Sequence, residues 1–281
     1  MKNSPLYLYR LYGWTVGSDI RLEGLPETTG EPEIFVRLNP PEKQEGSTHF
    51  YCPIRGKGYF RISENEITVH PSGEISALDP YLLGCAFGIL IHQRNMPVIH
   101  GSAIAIDHAA FIFSAPSGGG KSTLASAFLR QGYQLLSDDV CVLSVNGNHT
   151  MVHPSYPQLK QWINEKTDAS SPASETKVAL PVISGFVSTP LPLKHLYVLC
   201  RQPATFPDVF IEEINGSRKF DLLAQQVYCL PLVRMFGHEK EYFRHMLHLA
   251  KTIKVFNLFY PGKLSFLEKV IHQVIQNAAY E

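Results

Sequence analysis

The nine residues Ser114-Ala115-Pro116-Ser117-Gly118-Gly119-Gly120-Lys121-Ser122 lie between an apolar run and a helically spaced one, and no other stretch restricts the fold as much. Upstream, Ala109-Ala110-Phe111-Ile112-Phe113 is a short buried-strand pattern. Downstream, Thr123–Arg130 has helical spacing, with Leu124, Phe128 and Leu129 on one face. A strand that turns through glycines straight into a helix offers the helix's first free amides and its positive dipole end to an anion in the turn. Gly118, Gly119 and Gly120 let successive N–H groups converge there without Cβ clashes. In this context the stretch reads as a phosphate-binding loop. Ser117, Gly118, Gly119, Gly120, Lys121, Ser122 and Thr123 would cradle the phosphates of ATP or another nucleoside triphosphate. Lys121 would reach the β/γ-phosphates, and the Ser122 hydroxyl would ligate Mg²⁺. The first position of the usual pattern, a glycine, is here Ala115, small enough to be accommodated.

Gly132 closes the helix, Tyr133-Gln134-Leu135-Leu136 rises as the next strand, and Ser137-Asp138-Asp139 follows. The chain between Lys121 and Asp138 has room for one helix and one strand, so it makes a single βαβ unit. Its second strand is expected beside the loop strand, with the carboxylates at the carboxyl end, where ligands bind in such sheets. An Asp pair is often only a turn; next to a phosphate loop it becomes a candidate for chemistry. Further upstream, Met96–Ile106 is strand-like and begins near His100-Gly101. A lone histidine of this kind is more often structural.

Taken together, His100-Gly101-Ser102, Ala115–Ser122 and Ser137-Asp138-Asp139 resemble, in order and spacing, the catalytic domain of the HPr kinase/phosphorylase family, whose phosphate loop is similar to that of phosphoenolpyruvate carboxykinase. The resemblance implies an α/β phosphate-loop core of the HPr-kinase/PEP-carboxykinase type. It implies Asp138 as the base toward an acceptor hydroxyl, with Asp139 and His100 supporting metal and phosphate; the division of roles between the aspartates stays open. The glutamate-bearing segment that ends in Arg-Gly-Leu-Gly in that family is absent. In its place stands Val152-His153-Pro154-Ser155-Tyr156-Pro157-Gln158-Leu159-Lys160-Gln161-Trp162. This segment, with the aromatic start Leu6–Gly13, Ser18–Leu22 and Leu25-Pro26-Glu27, is similar to the smaller kinases of ribosomal peptide maturation. Among these are the lasso-peptide precursor kinases, which phosphorylate a C-terminal serine.

The expected activity is therefore transfer of the γ-phosphoryl group of ATP to a serine hydroxyl, with Mg²⁺, on a precursor peptide or a small protein with an exposed serine. Kinases of free serine, of another small hydroxyl compound or of an HPr-like carrier are alternatives, as is a nucleotide-binding regulator that transfers nothing. Arg130, Arg201, Arg218, Arg234 and Arg244 are all open as substrate clamps.

Composition narrows the partners. Acidic and basic residues balance at 25 each, so no strong field recruits nucleic acid or a membrane surface. The longest apolar run, Tyr81–Ile91, is shorter than the about 20 residues that span a bilayer. Five scattered cysteines without a C-x-x-C read as reduced thiols, and the expected location is the cytoplasm. Homo-oligomerisation stays open. Residues 1–78, with Glu33–Leu38, Gly58–Ile62 and Glu66–Val69, are expected to form an annexed antiparallel β-rich lobe. Residues 79–281 are expected to form the catalytic domain, beginning with a helix over 79–95. The Ser-, Thr- and charge-rich stretch 164–177 is expected to be a flexible loop or a lid.

Overall fold

The computed structural model describes residues 6–40, 49–165, 174–182 and 184–279, with side chains for all of these except 146, 161–165 and 174–177. The fold is mixed α/β with several sheets. Two compact units are present: Met1–Val98 with Cys229–Phe243, and Ile99–Tyr228 with Arg244–Glu281. A segment distant in sequence, Cys229–Phe243, thus belongs to the first unit.

The first unit is built on strands β1 (Tyr7–Leu11), β2 (Trp14–Ser18), β3 (Ile34–Leu38), β4 (Phe50–Ile54), β5 (Gly58–Ile62) and β6 (Glu66–Pro71), in the order β1-β2-β3-β6-β5-β4. β1 and β2 form a hairpin across Tyr12 and Gly13, both at positive φ, as a two-residue hairpin turn requires. The sheet is mixed rather than antiparallel, because β2/β3 and β3/β6 are parallel. The connections leaving β2 and β3 are long enough for crossovers, and the β4–β5–β6 meander then brings β6 back beside β3. Helical structure runs from Ile75 to Gln93, with a π-helical turn over Leu82–Ala86. This segment of 19 residues is long and apolar enough to cross a membrane by length and composition alone. Here it is a core element, with Leu82, Phe87, Leu90 and Ile91 each 0% exposed. The segment lies within the first unit. Within it the thiols of Cys52 on β4 and Cys85 on the π-helical turn lie 3.3 Å apart, and neither is in a disulfide.

The second unit begins at Ile99, the last residue of the two-residue strand β7 (Val98–Ile99). Its strands are β8 (Gly101–Ile106), β9 (Ala109–Ser114), β10 (Gln134–Ser137), β11 (Cys141–Asn146), β12 (His149–Val152), β13 (Gln158–Glu165), β14 (Ser174–Pro181), β15 (Leu191–Gln202), β16 (Phe210–Glu213) and β17 (Lys254–Pro261). The main sheet runs β10-β8-β9-β15-β12-β11, with β17 also paired to β15 and β16 to β17. β9, β15 and β17 are mutually parallel at the centre. Their register sets Phe113, Tyr197 and Phe256 side by side, stacked with centroids 5.5 and 5.0 Å apart. Against this ladder pack Leu124 and Phe128 of the helix Lys121–Arg130 and Val270, Ile271 and Val274 of the helix Leu267–Ala279.

The strand that carries the aspartates is not the neighbour of the loop strand. β8 lies between them, paired antiparallel to both. The reason is local: Asp107 and His108, both at positive φ, make the two-residue turn that folds β8 onto β9 as a hairpin. β10 then takes the next position. Two antiparallel steps leave it parallel to β9, so the ends of both strands reach the same edge of the sheet.

The stretch 164–177 is in part regular. Residues 164–165 end β13 and 174–177 begin β14, and these two strands pair with each other as a separate two-stranded ribbon. The remainder of that expected loop, 166–173, lies outside the described residues.

Candidate active site

The strand β9 ends at Ser114, and the loop that follows turns through Gly118 (φ 78°) and Gly120 (φ 93°) into the helix Lys121–Arg130. Both values lie in the left-handed region that glycine enters without a Cβ penalty. Gly119 is required for a different reason. A Cβ there would stand 2.6 Å from Ala115 Cβ and 2.9 Å from the Pro116 carbonyl oxygen. Alanine at the first position of the loop is thus accommodated because the residue facing it has no side chain. The Tyr260 hydroxyl donates to the Gly119 carbonyl at 3.3 Å and braces the loop from β17.

Lys121 is buried, with its ammonium donating to the carbonyls of Ala115 (2.8 Å) and Pro116 (3.2 Å). One residue on, the Ser122 hydroxyl reaches Asp138, at 3.1 and 3.2 Å from its two carboxylate oxygens. Asp138 also accepts from Ser102 Oγ at 2.5 Å and from the backbone N–H of Lys160 at 2.8 Å. It is 3% exposed. Burial pushes its carboxyl above the ordinary range, the Ser102 and Lys160 hydrogen bonds oppose that, Asp139 adds to it, and Ser122 opposes it again.

Asp139 points elsewhere. Its backbone is left-handed (φ 72°), a conformation Asp tolerates better than most residues, and this turns successive carboxylates apart. Its Oδ2 is 3.0 Å from Lys160 Nζ. His100 Nδ1 lies 3.0 Å from the Asp139 carbonyl oxygen and 3.9 Å from its Oδ1, and the His100 N–H donates to the Gln226 carbonyl. Burial works against the Lys160 charge, but Tyr156 and Asp139 outweigh it and hold the ammonium above its ordinary range. Burial raises the Tyr156 hydroxyl in turn.

A cavity of about 560 Å³ opens over the loop, lined by Ser117, Gly118, Gly120, Lys121, Ser122 and Thr123. It continues past Asp139 and Lys160 and along the loop helix to Arg130 and Gln131, facing Leu264, Leu267 and Glu268. A smaller recess of about 150 Å³ meets the other flank of the loop at Arg201, Tyr260, Gly262 and Lys263. Ser122, Asp138, Lys160 and Asp139 therefore form a connected network beside the loop, His100 joins it through Asp139, and Lys121 lines the same cavity with its ammonium on the loop carbonyls. Asp138 and His100 are not among the cavity's lining residues, whereas Asp139 is. Ser102 and Lys160 are site residues that sequence reasoning did not single out. The signal for Ser102 was a polar residue in a strand otherwise made of small and apolar ones. For Lys160 there was none, since a lysine on a polar strand ordinarily faces water.

No family model and no curated protein matches the chain. Among solved structures, the Hpr(Ser) kinase/phosphatase from Coxiella burnetii is similar at a TM-score of 0.36 and 14% identity, over 65% of this chain and 98% of that one.

Proposed function

We propose that the protein is a phosphotransferase that binds a nucleoside triphosphate on Ser117–Thr123 and passes its γ-phosphoryl group to a serine hydroxyl. The observation that carries this reading is the network itself: a glycine loop and helix N-terminus, the Ser122 hydroxyl on Asp138, and a second carboxylate, Asp139, on the same cavity. A Mg²⁺-nucleotide site uses one carboxylate on the metal side; a second one on the same cavity suits a site that also receives a hydroxyl proton. The Ser122 hydroxyl lines the cavity and donates its proton to Asp138, which leaves its oxygen lone pairs for a hard cation; Ser122 would hold Mg²⁺, with Asp138 orienting it. When bound, the ion would neutralise charge on the phosphates.

The acceptor oxygen attacks the γ-phosphorus, the bond to the β–γ bridging oxygen breaks, and the nucleoside diphosphate leaves with that oxygen. A base must reach the proton, so geometry precedes pKa. Asp139 lines the cavity while Asp138 is enclosed by three donors, and we therefore give Asp139 the acceptor proton and Asp138 the positioning of Ser122. This exchanges the roles that the resemblance implies. The sequence resemblance supports the C-terminal serine of a ribosomal precursor peptide as the acceptor.

The test is mass spectrometry of a peptide ending in serine, incubated with protein, ATP and Mg²⁺ beside free serine and an HPr-type protein. One added phosphate on the terminal residue is the expected result. Phosphate on free serine or on the carrier would redirect the acceptor. Binding of ATP with no transfer to any of them would favour the regulator.

A further inference from the structure

We propose that Lys160 is a second phosphate-contacting cation of this site, leaving Asp139 for the terminal phosphate when a nucleoside triphosphate binds. The proposal rests on the reading of the loop as a triphosphate site.

Among the described residues, the cations lining the cavity include Lys121, Arg130 and Lys160. Arg130 stands in the last turn of the loop helix with its guanidinium on Ser126 Oγ at 3.0 Å. At about 1.5 Å of rise per residue it is on the order of 13 Å along the axis from Lys121, too far to share a phosphate with it. Lys160 has a different placement. Strand β13 delivers its main-chain N–H to Asp138 (2.8 Å) and its ammonium to Asp139 (3.0 Å), so one residue spans both carboxylates of the turn. The main-chain bond anchors the residue, and the ammonium, also hydrogen-bonded to the Tyr156 hydroxyl, sits at the end of a four-carbon stem. Its side chain is 20% exposed, on the cavity wall that the loop also lines.

A triphosphate brings several negative charges into that cavity, against the single charge of Asp139. An ammonium placed between them partitions to the stronger field, and its hydrogen bonds to phosphate oxygen are charge-assisted. Its departure would also leave the Asp139 carboxylate open to a hydroxyl proton. Arrival of the donor and release of the base are thereby coupled through one side chain.

The experiment is calorimetric binding of ATP and of ADP, each with Mg²⁺, to wild type, Lys160→Arg, Lys160→Met and the double variant Asp139→Asn/Lys160→Met. The double variant removes both charges, so it leaves no orphaned carboxylate if Lys160→Met alone fails to fold. A charged hydrogen bond to the terminal phosphate predicts a loss of about tenfold to a hundredfold in ATP affinity in both methionine variants. ADP affinity should change less than about threefold, and Lys160→Arg should keep the preference for ATP. An unchanged ATP-to-ADP ratio in the methionine variants would overturn the proposal, and so would an equal loss for both nucleotides, which is what a purely structural tie to Asp139 gives. A wild-type protein that binds neither nucleotide would instead remove the triphosphate reading beneath it.

Discussion

Lys121 and the two aspartates hold opposite charges around one loop, and each should fail in its own way when neutralised. Lys121→Ala is expected to lower turnover by about 3–4 kcal/mol of transition-state stabilisation, with the fold retained, as read by steady-state rates beside circular dichroism. Full activity in that variant would remove the loop from the mechanism. Asp139→Asn should reduce turnover more than nucleotide affinity, whereas Asp138→Asn should weaken Mg²⁺-nucleotide binding by loosening Ser122. The reverse pattern would restore the roles first expected for the pair. Away from the site, Cys85 makes a pH prediction. The Cys52 thiol hydrogen-bonds to it and pulls it down to about 7 against the opposing effect of burial, while Cys52 itself is pushed up. Its thiolate therefore appears as pH rises through about 7, and iodoacetamide labelling followed by peptide mapping should show Cys85 alkylated across that range with Cys52 protected. At this scale the sequence was legible where partners are close in the chain or share a known spacing: Lys121, Ser122 and the Asp pair. Ser102 reaches Asp138 through the β8–β10 pairing and Lys160 through the placement of the β13–β14 ribbon, and composition encodes neither.

The loop works as an element because its small residues are matched to one another. Gly119→Ala should force the loop against Ala115 and Pro116, costing about 1–3 kcal/mol in stability or in nucleotide binding. Adding Ala115→Gly should recover part of that loss, because it removes one of the two clashing groups; no recovery in thermal melts or nucleotide titrations would mean that the Pro116 carbonyl dominates. The strand–loop–helix was readable from its periodicity, as was the strand leading to the aspartates. The position of that strand was not, since it depends on a two-residue turn at Asp107-His108 that slots β8 between β9 and β10. The β13–β14 ribbon was missed for a related reason. Strands that pair only with each other need no apolar face, so the Ser-, Thr- and charge-rich ends of both carry no strand pattern.

For the molecule as a whole, occupancy of the loop should appear as stability. Nucleotide at a hundred times its Kd is expected to add about 2.7 kcal/mol, read as an upward shift in calorimetric melting that Lys121→Ala diminishes. An unshifted melt in wild type at that concentration would argue against a preformed nucleotide site. The placement of Ile75–Gln93 was not legible, because its apolar pattern fits either neighbour in sequence; in the structure it falls in the first unit. The ribbon has one more consequence. The loop, Ser102 and the aspartate turn are all borne on or beside a broad central sheet, but Lys160 sits on a two-stranded ribbon, an architecture that is marginal by itself. Amide hydrogens of β13 and β14 should therefore exchange with deuterium faster than those of β8 and β9, and nucleotide binding should slow the ribbon's exchange most, so that one half of the site acquires its protection only with the substrate in place.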